Sequence, residues 1–184
     1  MILKKLIGLL LIIAISPILL MVMPLIFFDD GFPIFFRQKR VGKNNKLFFI
    51  YKFRTMKLDT PDIATHLLKD GVSKYTFFGP FLRKYSLDEL PQLFNLIKGD
   101  MAFIGPRPAL YNQKDLIQLR TKVGVDKLLP GVTGWAQING RDELSIEEKV
   151  EMDFFYLNNK SMLLDMKILF LTFIKVFKAE GVEN

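Results

Sequence analysis

The 184-residue sequence has no cysteine, one histidine and one tryptophan, and its 19 acidic residues are outnumbered by 26 lysines and arginines. Without cysteine there is no disulfide framework, no thiolate metal site and no cysteine nucleophile, so zinc fingers and small disulfide-stapled folds are excluded. The lone histidine, His66, is given no metal or catalytic role. Low-complexity tracts, internal repeats and long linkers are also missing, which leaves one compact domain as the expectation. What the chain has is apolar substance, 50% hydrophobic and 13% aromatic, enough for a core. Its net charge is +7; Lys4 and Lys5 are the only charges among the first 28 residues, so the remainder carries +5. A surface of that sign suits nucleic acid, an anionic bilayer face or a small phosphorylated substrate.

Leu6 to Phe28 is a run of 23 residues without a charge, long enough as a helix to cross a hydrocarbon core of about 30 Å. Ser16-Pro17 stands at its centre. Proline removes a backbone donor, frees the carbonyl of Ile13 and favours a kink, and the Ser16 hydroxyl can satisfy a freed carbonyl where no water reaches. A helix bent there has arms of 11 residues, each reaching about 16 Å, so the segment can descend to mid-bilayer and return. Lys4 and Lys5 before the run, and Arg37, Lys39, Arg40, Lys43 and Lys46 after it, suit two cytoplasmic ends. From these residues alone the re-entrant and spanning forms both stay open. A cleaved signal peptide fits less well, because the run is too long and lacks a small-residue cleavage site.

Residues 33–41 and 46–56 read as two strands joined at Gly42 to Asn45. The alternation in KLFFIYKFRTM places Lys52 and Arg54 on one face with Phe48 and Ile50, a solvated strand face unless an anion binds there. From Ser86, Leu87, Leu90, Phe94, Ile97 and Met101 follow helical spacing, with Gly99 as a stop. In IGPRP the prolines flanking Arg107 favour extended backbone and restrict where its guanidinium points. Residues 129–141, LPGVTGWAQINGR, are dense in turn signals and read as a shaped loop ending on Arg141. Ser145-x-x-Glu148 is a capping box opening a helix to about Tyr156. The last stretch, from Ser161, has no uncharged run beyond seven residues; it reads as an amphipathic helix lying in the membrane interface or packed on the core.

Asp88-Glu89, in KYSLDELPQLFN, poses a choice. Ser86-x-x-Glu89 also matches a capping box, and acids in a first helical turn are favoured by the dipole by about 0.3–1 kcal/mol. Pro91 disturbs that reading, because with Ser86 as N-cap it falls where a helical hydrogen bond is due. As a reactive pair, the carboxylates need cations nearby, and Lys52, Arg54, Arg83 and Arg107 are available. That composition suits phosphoryl transfer, in which carboxylate holds Mg²⁺ or attacks phosphorus and cations offset the phosphate charge.

FRTM at 53–56, FLRKYSLDELPQLFNLIKGDMAFIGPRP at 81–108 and PGVTGWAQINGR at 130–141 resemble the bacterial sugar transferases, the monotopic phosphoglycosyl transferases that start glycoconjugate assembly. The resemblance implies an α+β, mostly helical, membrane-associated domain: a re-entrant helix over 1–28 bent at Ser16-Pro17, then a cytoplasmic catalytic domain over 29–184 with a strand hairpin and interfacial amphipathic helices. It implies transfer of a sugar phosphate from a UDP-sugar to polyprenyl phosphate at the cytoplasmic face of a bacterial inner membrane, releasing UMP. Asp88 is then the nucleophile and a Mg²⁺ contact, and Glu89 its partner. Arg83 and Arg107 match the phosphate-site arginines, helped by Lys52 or Arg54, and Gly134, Trp135 and Arg141 belong to the loop at the nucleotide end. The chain is similar to the small class of members, but KKLIG lacks the acid that commonly precedes the re-entrant helix.

Two rival readings make different demands. A non-enzymatic peripheral membrane protein binds anionic lipid without turnover. A nucleic-acid binder gathers its cations on one recognition helix, whereas here they are scattered among Pro/Gly-shaped loops. The sugar and the oligomeric state, a homo-oligomer included, are not written in the sequence. The first helix offers a direct test: a cysteine placed at position 3 is labelled only from the cytoplasmic side, and Pro17→Leu, by restoring a straight helix, shifts the population toward a spanning topology read by labelling from the periplasm.

Overall fold

The computed structural model describes residues 2–60, 74–140 and 143–178, with the side chains of all of these but 2–12 and 177. It is mixed helix and strand, and it divides into two compact units, 1–38 with 50–98 and 182–184, and 39–49 with 99–181.

The first unit is built on α1, Ile2–Asp30, which continues two residues beyond the uncharged run. The helix contains Pro17 and Pro24, and the Ser16 hydroxyl donates to the Ile13 carbonyl at 2.7 Å. This is the bond expected of a serine compensating a proline-freed acceptor. Within Ile13–Asp30 only Val22 and Ile26 are buried. They meet Phe53 and Leu82 in a core that Leu19, Met23, Ile34 and Leu87 complete. Residues 19, 22, 23 and 26 form one stripe at helical spacing, so α1 turns a single face to the protein and leaves the others apolar and exposed. By length and composition this helix, with most of its surface uncovered, is sufficient to cross a membrane.

Strand β1, Phe35–Val41, pairs with β2, Leu47–Phe53. A one-turn 3₁₀ segment, Lys43–Asn45, joins them with Asn44 in the left-handed region, the turn chemistry that Gly42 to Asn45 promised. Helix α2, Gly79–Lys84, follows. Its first residue is glycine for steric reasons, since a Cβ there would lie 2.2 Å from the Thr55 carbonyl oxygen.

The single helix expected from Ser86 is two elements. Leu87–Gln92 is 3₁₀, and α3 occupies Leu93–Lys98. Pro91 accounts for the division: it has no N–H for an α-helical bond, and the tighter winding accommodates it within a short turn.

The second unit holds a short parallel pair, β3 Ala102–Ile104 with β4 Gly131–Thr133, in the register Ala102 to Gly131 and Ile104 to Thr133. Here backbones nearly touch, because a Cβ on Gly131 would sit 2.1 Å from the Gly105 nitrogen and one on Gly134 would sit 2.1 Å from the Gly105 oxygen. Around the pair are α4 Lys114–Lys122, the single-turn α5 Trp135–Ile138, α6 Ile146–Asn159 and α7 Met162–Lys178. Ala109, Leu116 and Val150 form one core patch, and Ile138, Tyr156 and Ile168 another. Ser145 and Glu148 complete both bonds of the capping box that starts α6, at 3.2 and 2.7 Å.

Arg120 of α4 and Asp153 of α6 pair inside this unit, with Nε and Nη2 of the arginine 2.9 and 2.6 Å from one Asp153 oxygen. Burial pushes the Asp153 carboxyl up and the guanidinium draws it back. Asp153→Ala strands a buried cation and is expected to cost about 3–5 kcal/mol in denaturant unfolding, whereas the paired change Arg120→Met with Asp153→Leu recovers most of that loss.

Candidate active site

Lys52, near the end of β2, meets the two carboxylates of the 3₁₀ turn. Its Nζ lies 2.7 Å from Glu89 Oε1 and 3.6 Å from Asp88 Oδ2, and all three side chains are largely withdrawn from solvent. Asp88 is only 5% exposed. Two adjacent carboxylates at such burial repel each other, and an ammonium against both offsets the repulsion and the lost hydration.

The capping explanation fails on geometry. Ser86 sits in the left-handed region, φ 54°, and its hydroxyl makes no capping bond. Glu89 reaches Lys52 instead. The same Ser-x-x-Glu spacing forms a complete capping box at Ser145, so the failure at Ser86 reflects where the chain holds these groups. A serine at positive φ is itself a mild strain, carried by the surrounding structure.

Arg83 projects from α2 with its guanidinium 5.3 Å from the Tyr75 ring centre and 3.9 Å from the Met56 sulfur. Helix α2 leads directly into the turn bearing Asp88, while the guanidinium contacts Tyr75 and Met56. Arg54 is engaged elsewhere. Its Nη2 donates to the carbonyls of Asp30 and Gly31 at 2.6 and 2.8 Å and lies 3.3 Å from the Asp30 carboxylate. β2 ends at Phe53, so the two-residue alternation that aligned Lys52 with Arg54 no longer governs Arg54. It clamps the C-terminus of α1, where a cation complements free carbonyls.

In the second unit, the backbone around Arg107 is held at four successive carbonyls. Pro106 O accepts from Gly131 N at 2.9 Å, Arg107 O from Arg120 Nη1 at 2.8 Å, Pro108 O from Arg40 Nη1 at 2.9 Å and Ala109 O from Val41 N at 2.9 Å. Arg107 lines a half-open cleft of about 350 Å³, open solvent included, together with Asn45, Asp126 and Leu128. Gly134 precedes α5 at the close approach to Gly105. Trp135 stacks on Phe155 at 5.3 Å, with Lys167 Nζ 5.5 Å from its ring centre. Arg141 lies outside the described residues.

Among the described residues no three carboxylates or histidines gather as a metal cage. Asp88-Glu89 does fit Mg²⁺, which needs one or two carboxylates and takes the rest of its shell from water and substrate phosphate.

Several supporting residues were not singled out from the sequence. Asn95, fully buried, accepts from Tyr51 N at 3.2 Å and ties α3 to β2 beside Lys52. Asp29 accepts from the backbone nitrogens of Phe77 and Phe78 at 3.0 and 2.8 Å. A signal for the aspartates existed: acids at a helix C-terminus oppose the dipole, so Asp29 and Asp30 called for outside partners.

Comparison with known proteins meets this geometry. The bacterial sugar transferase profile matches residues 1–179. The uncharacterized sugar transferase EpsL of Bacillus subtilis is 45% identical over 92% of this chain and 82% of its own length. The Escherichia coli UDP-glucose:undecaprenyl-phosphate glucose-1-phosphate transferase is 37% identical over 91% of this chain and 38% of its own length. The Aeromonas hydrophila UDP-N-acetylgalactosamine-undecaprenyl-phosphate N-acetylgalactosaminephosphotransferase is 37% identical over 90% of this chain and 40% of its own. With SLDELPQLFN folded into a shielded acidic pair and the profile running nearly end to end, the chain belongs to the bacterial sugar transferase family.

Proposed function

We propose that this enzyme transfers a sugar 1-phosphate from a UDP-sugar to undecaprenyl or a similar polyprenyl phosphate, at the cytoplasmic face of the bacterial inner membrane, as a first step of polysaccharide or other glycoconjugate synthesis. The carrying observation is the shielded Asp88-Glu89 pair gripped by Lys52, in a turn where the capping role is abandoned. The names of the relatives supply the substrate class: a nucleotide sugar and undecaprenyl phosphate.

In this mechanism an Asp88 carboxylate oxygen attacks the phosphorus that bears the sugar. The new oxygen–phosphorus bond forms as the bond to the leaving phosphate breaks, which releases UMP and leaves an aspartyl phosphosugar. An oxygen of the polyprenyl phosphate then attacks the same phosphorus, expels the Asp88 carboxylate and yields the lipid diphosphosugar. Both nucleophile and substrate are anionic, so repulsion is the obstacle. Lys52 holds the carboxylates in place and offsets their charge, and Arg83 supplies a second cation from α2. Glu89, bonded to Lys52, orients the ammonium and with it Asp88. Asp88 would hold Mg²⁺, which would supply Lewis-acid neutralisation of phosphate charge there. Arg107 is assigned to phosphate on its motif and its braced backbone. α1 places the enzyme at the lipid as a re-entrant helix, a reading supported by the bond from Ser16 to Ile13, with α7 lying along the interface.

Asp88→Asn distinguishes the chemistry from a structural role. A cap or dipole partner loses at most about 1 kcal/mol of stability on this change and keeps its turnover, whereas a nucleophile loses turnover with the fold intact. Wild-type protein given UDP-sugar without lipid acceptor is expected to gain a sugar-phosphate adduct on Asp88 by mass spectrometry; a folded, fully active Asp88→Asn protein overturns the covalent mechanism. Arg107→Lys keeps the charge but loses the fork. Charge-assisted hydrogen bonds are worth about 1.5–3 kcal/mol, so kcat/KM for the UDP-sugar should fall about ten- to a hundredfold.

A further inference from the structure

One buried donor in the acidic turn is unused. Gln92 closes the 3₁₀ segment that begins at Leu87 and is 2% exposed, yet its Nε2 has no hydrogen-bond partner among the described residues. Arg54 and Gln137 also bury an unpartnered atom, but in each the same group is bonded through another atom, to the Asp30 and Val132 carbonyls. In Gln92 both N–H groups of the amide stand idle. A sheltered donor without an acceptor destabilises a fold, and such a group calls for a reason. Its place in the turn supplies one. Residues three apart eclipse in a 3₁₀ helix, about 6 Å apart along the axis, so Gln92 follows Glu89 on one edge, within reach of a side chain of that length. Glu89 Oε1, meanwhile, is bonded to Lys52 Nζ at 2.7 Å.

We propose that Gln92 is a second seat for the Glu89 carboxylate, an inference that rests on the transfer proposed above. In the free enzyme Lys52 is bonded to Glu89 and stands 3.6 Å from Asp88. A diphosphate arriving at the pair attracts that ammonium more strongly than one carboxylate does, because it bears more charge. Lys52 turning to a phosphoryl oxygen gives up its bond to Glu89, which weakens substrate binding unless the carboxylate finds another donor. Rotation of Glu89 toward Gln92 supplies it: the carboxylate accepts from Nε2 in a charge-assisted bond, formed in a sheltered place where such bonds are strong. The idle donor and the Glu89–Lys52 bond are then two halves of one exchange, in which no proton moves. Gln92 touches no substrate; it is a positioning residue that acts through Glu89 and Lys52.

The exchange is read directly in full-chain protein labelled with ¹⁵N-glutamine in detergent micelles, where the Gln92 side-chain resonances are identified by their loss in Gln92→Met. With Mg²⁺ fixed, saturating UDP is expected to move one Gln92 amide proton downfield as the charge-assisted bond forms. Gln92 resonances that stay in place with UDP bound overturn the exchange. Gln92→Met keeps the length and volume of the side chain and deletes the donor. Because that donor is idle in the free protein, the thermal midpoint is expected to hold or rise; a clear fall, or failure to fold, reveals a structural partner and overturns the proposal. UDP affinity by calorimetry should drop about tenfold in Gln92→Met, and by less than about twofold when the same change is made in Glu89→Gln, where no charged group is left to move. Equal drops in the two backgrounds overturn the link to Glu89, and no drop in either overturns the role of Gln92. In turnover the UDP-sugar KM should rise about tenfold with the lipid KM unchanged. Wild-type protein that binds UDP but transfers no sugar phosphate to polyprenyl phosphate overturns the transfer reading alone, and the Gln92 resonances still decide the exchange; wild-type protein that binds no UDP overturns both.

Discussion

A lysine ammonium between two shielded carboxylates is the contact to which the first unit is fitted. Asp88 and Glu89 are neighbours in sequence, and bringing both out of water together is costly unless a positive charge accompanies them. Lys52 reaches them from near the end of β2, and α3, which follows the 3₁₀ turn directly, is held beside that strand by Asn95, which accepts from Tyr51 N. The left-handed Ser86, the proline in the turn and the short α3 are all parts of one solution: they present two acids to one base and leave the ordinary helix start unmade.

The two Ser-x-x-Glu sequences show how far local pattern reaches. At Ser145 the glutamate is exposed, and the capping box forms as the spacing predicts. At Ser86 a cation from a strand more than thirty residues away competes and wins. The hairpin, the α6 start, the Gly99 stop and the serine-to-carbonyl bond in α1 were legible because each is decided by residues a few positions apart. The division at Pro91 was signalled by the proline but not located, since its form depends on what the turn must carry.

Arg54 and the Arg120–Asp153 pair mark the other limit. Arg54 looked equivalent to Lys52 by alternation, yet the strand stops between them and the guanidinium closes the end of α1. No spacing rule connects Arg120 with Asp153, because they lie on different helices and meet only after packing. Such partners become visible once tertiary contacts are known, and charge pairs across long separations are the part of a site that sequence reports least.

The braced backbone at residues 106–109 bears on the thermodynamics of anion capture. A loop arginine ordinarily surrenders backbone as well as side-chain freedom when it closes on a ligand, at about 1–2 kcal/mol for each residue fixed. Here the carbonyls on either side of Arg107, and its own, are already bonded, and the flanking prolines have no donor left to satisfy. The backbone share of that cost is therefore met before any ligand arrives. In the phosphate-binding role proposed for Arg107, the loop would meet its ligand with its backbone already preorganised, which lowers the entropic penalty of capture.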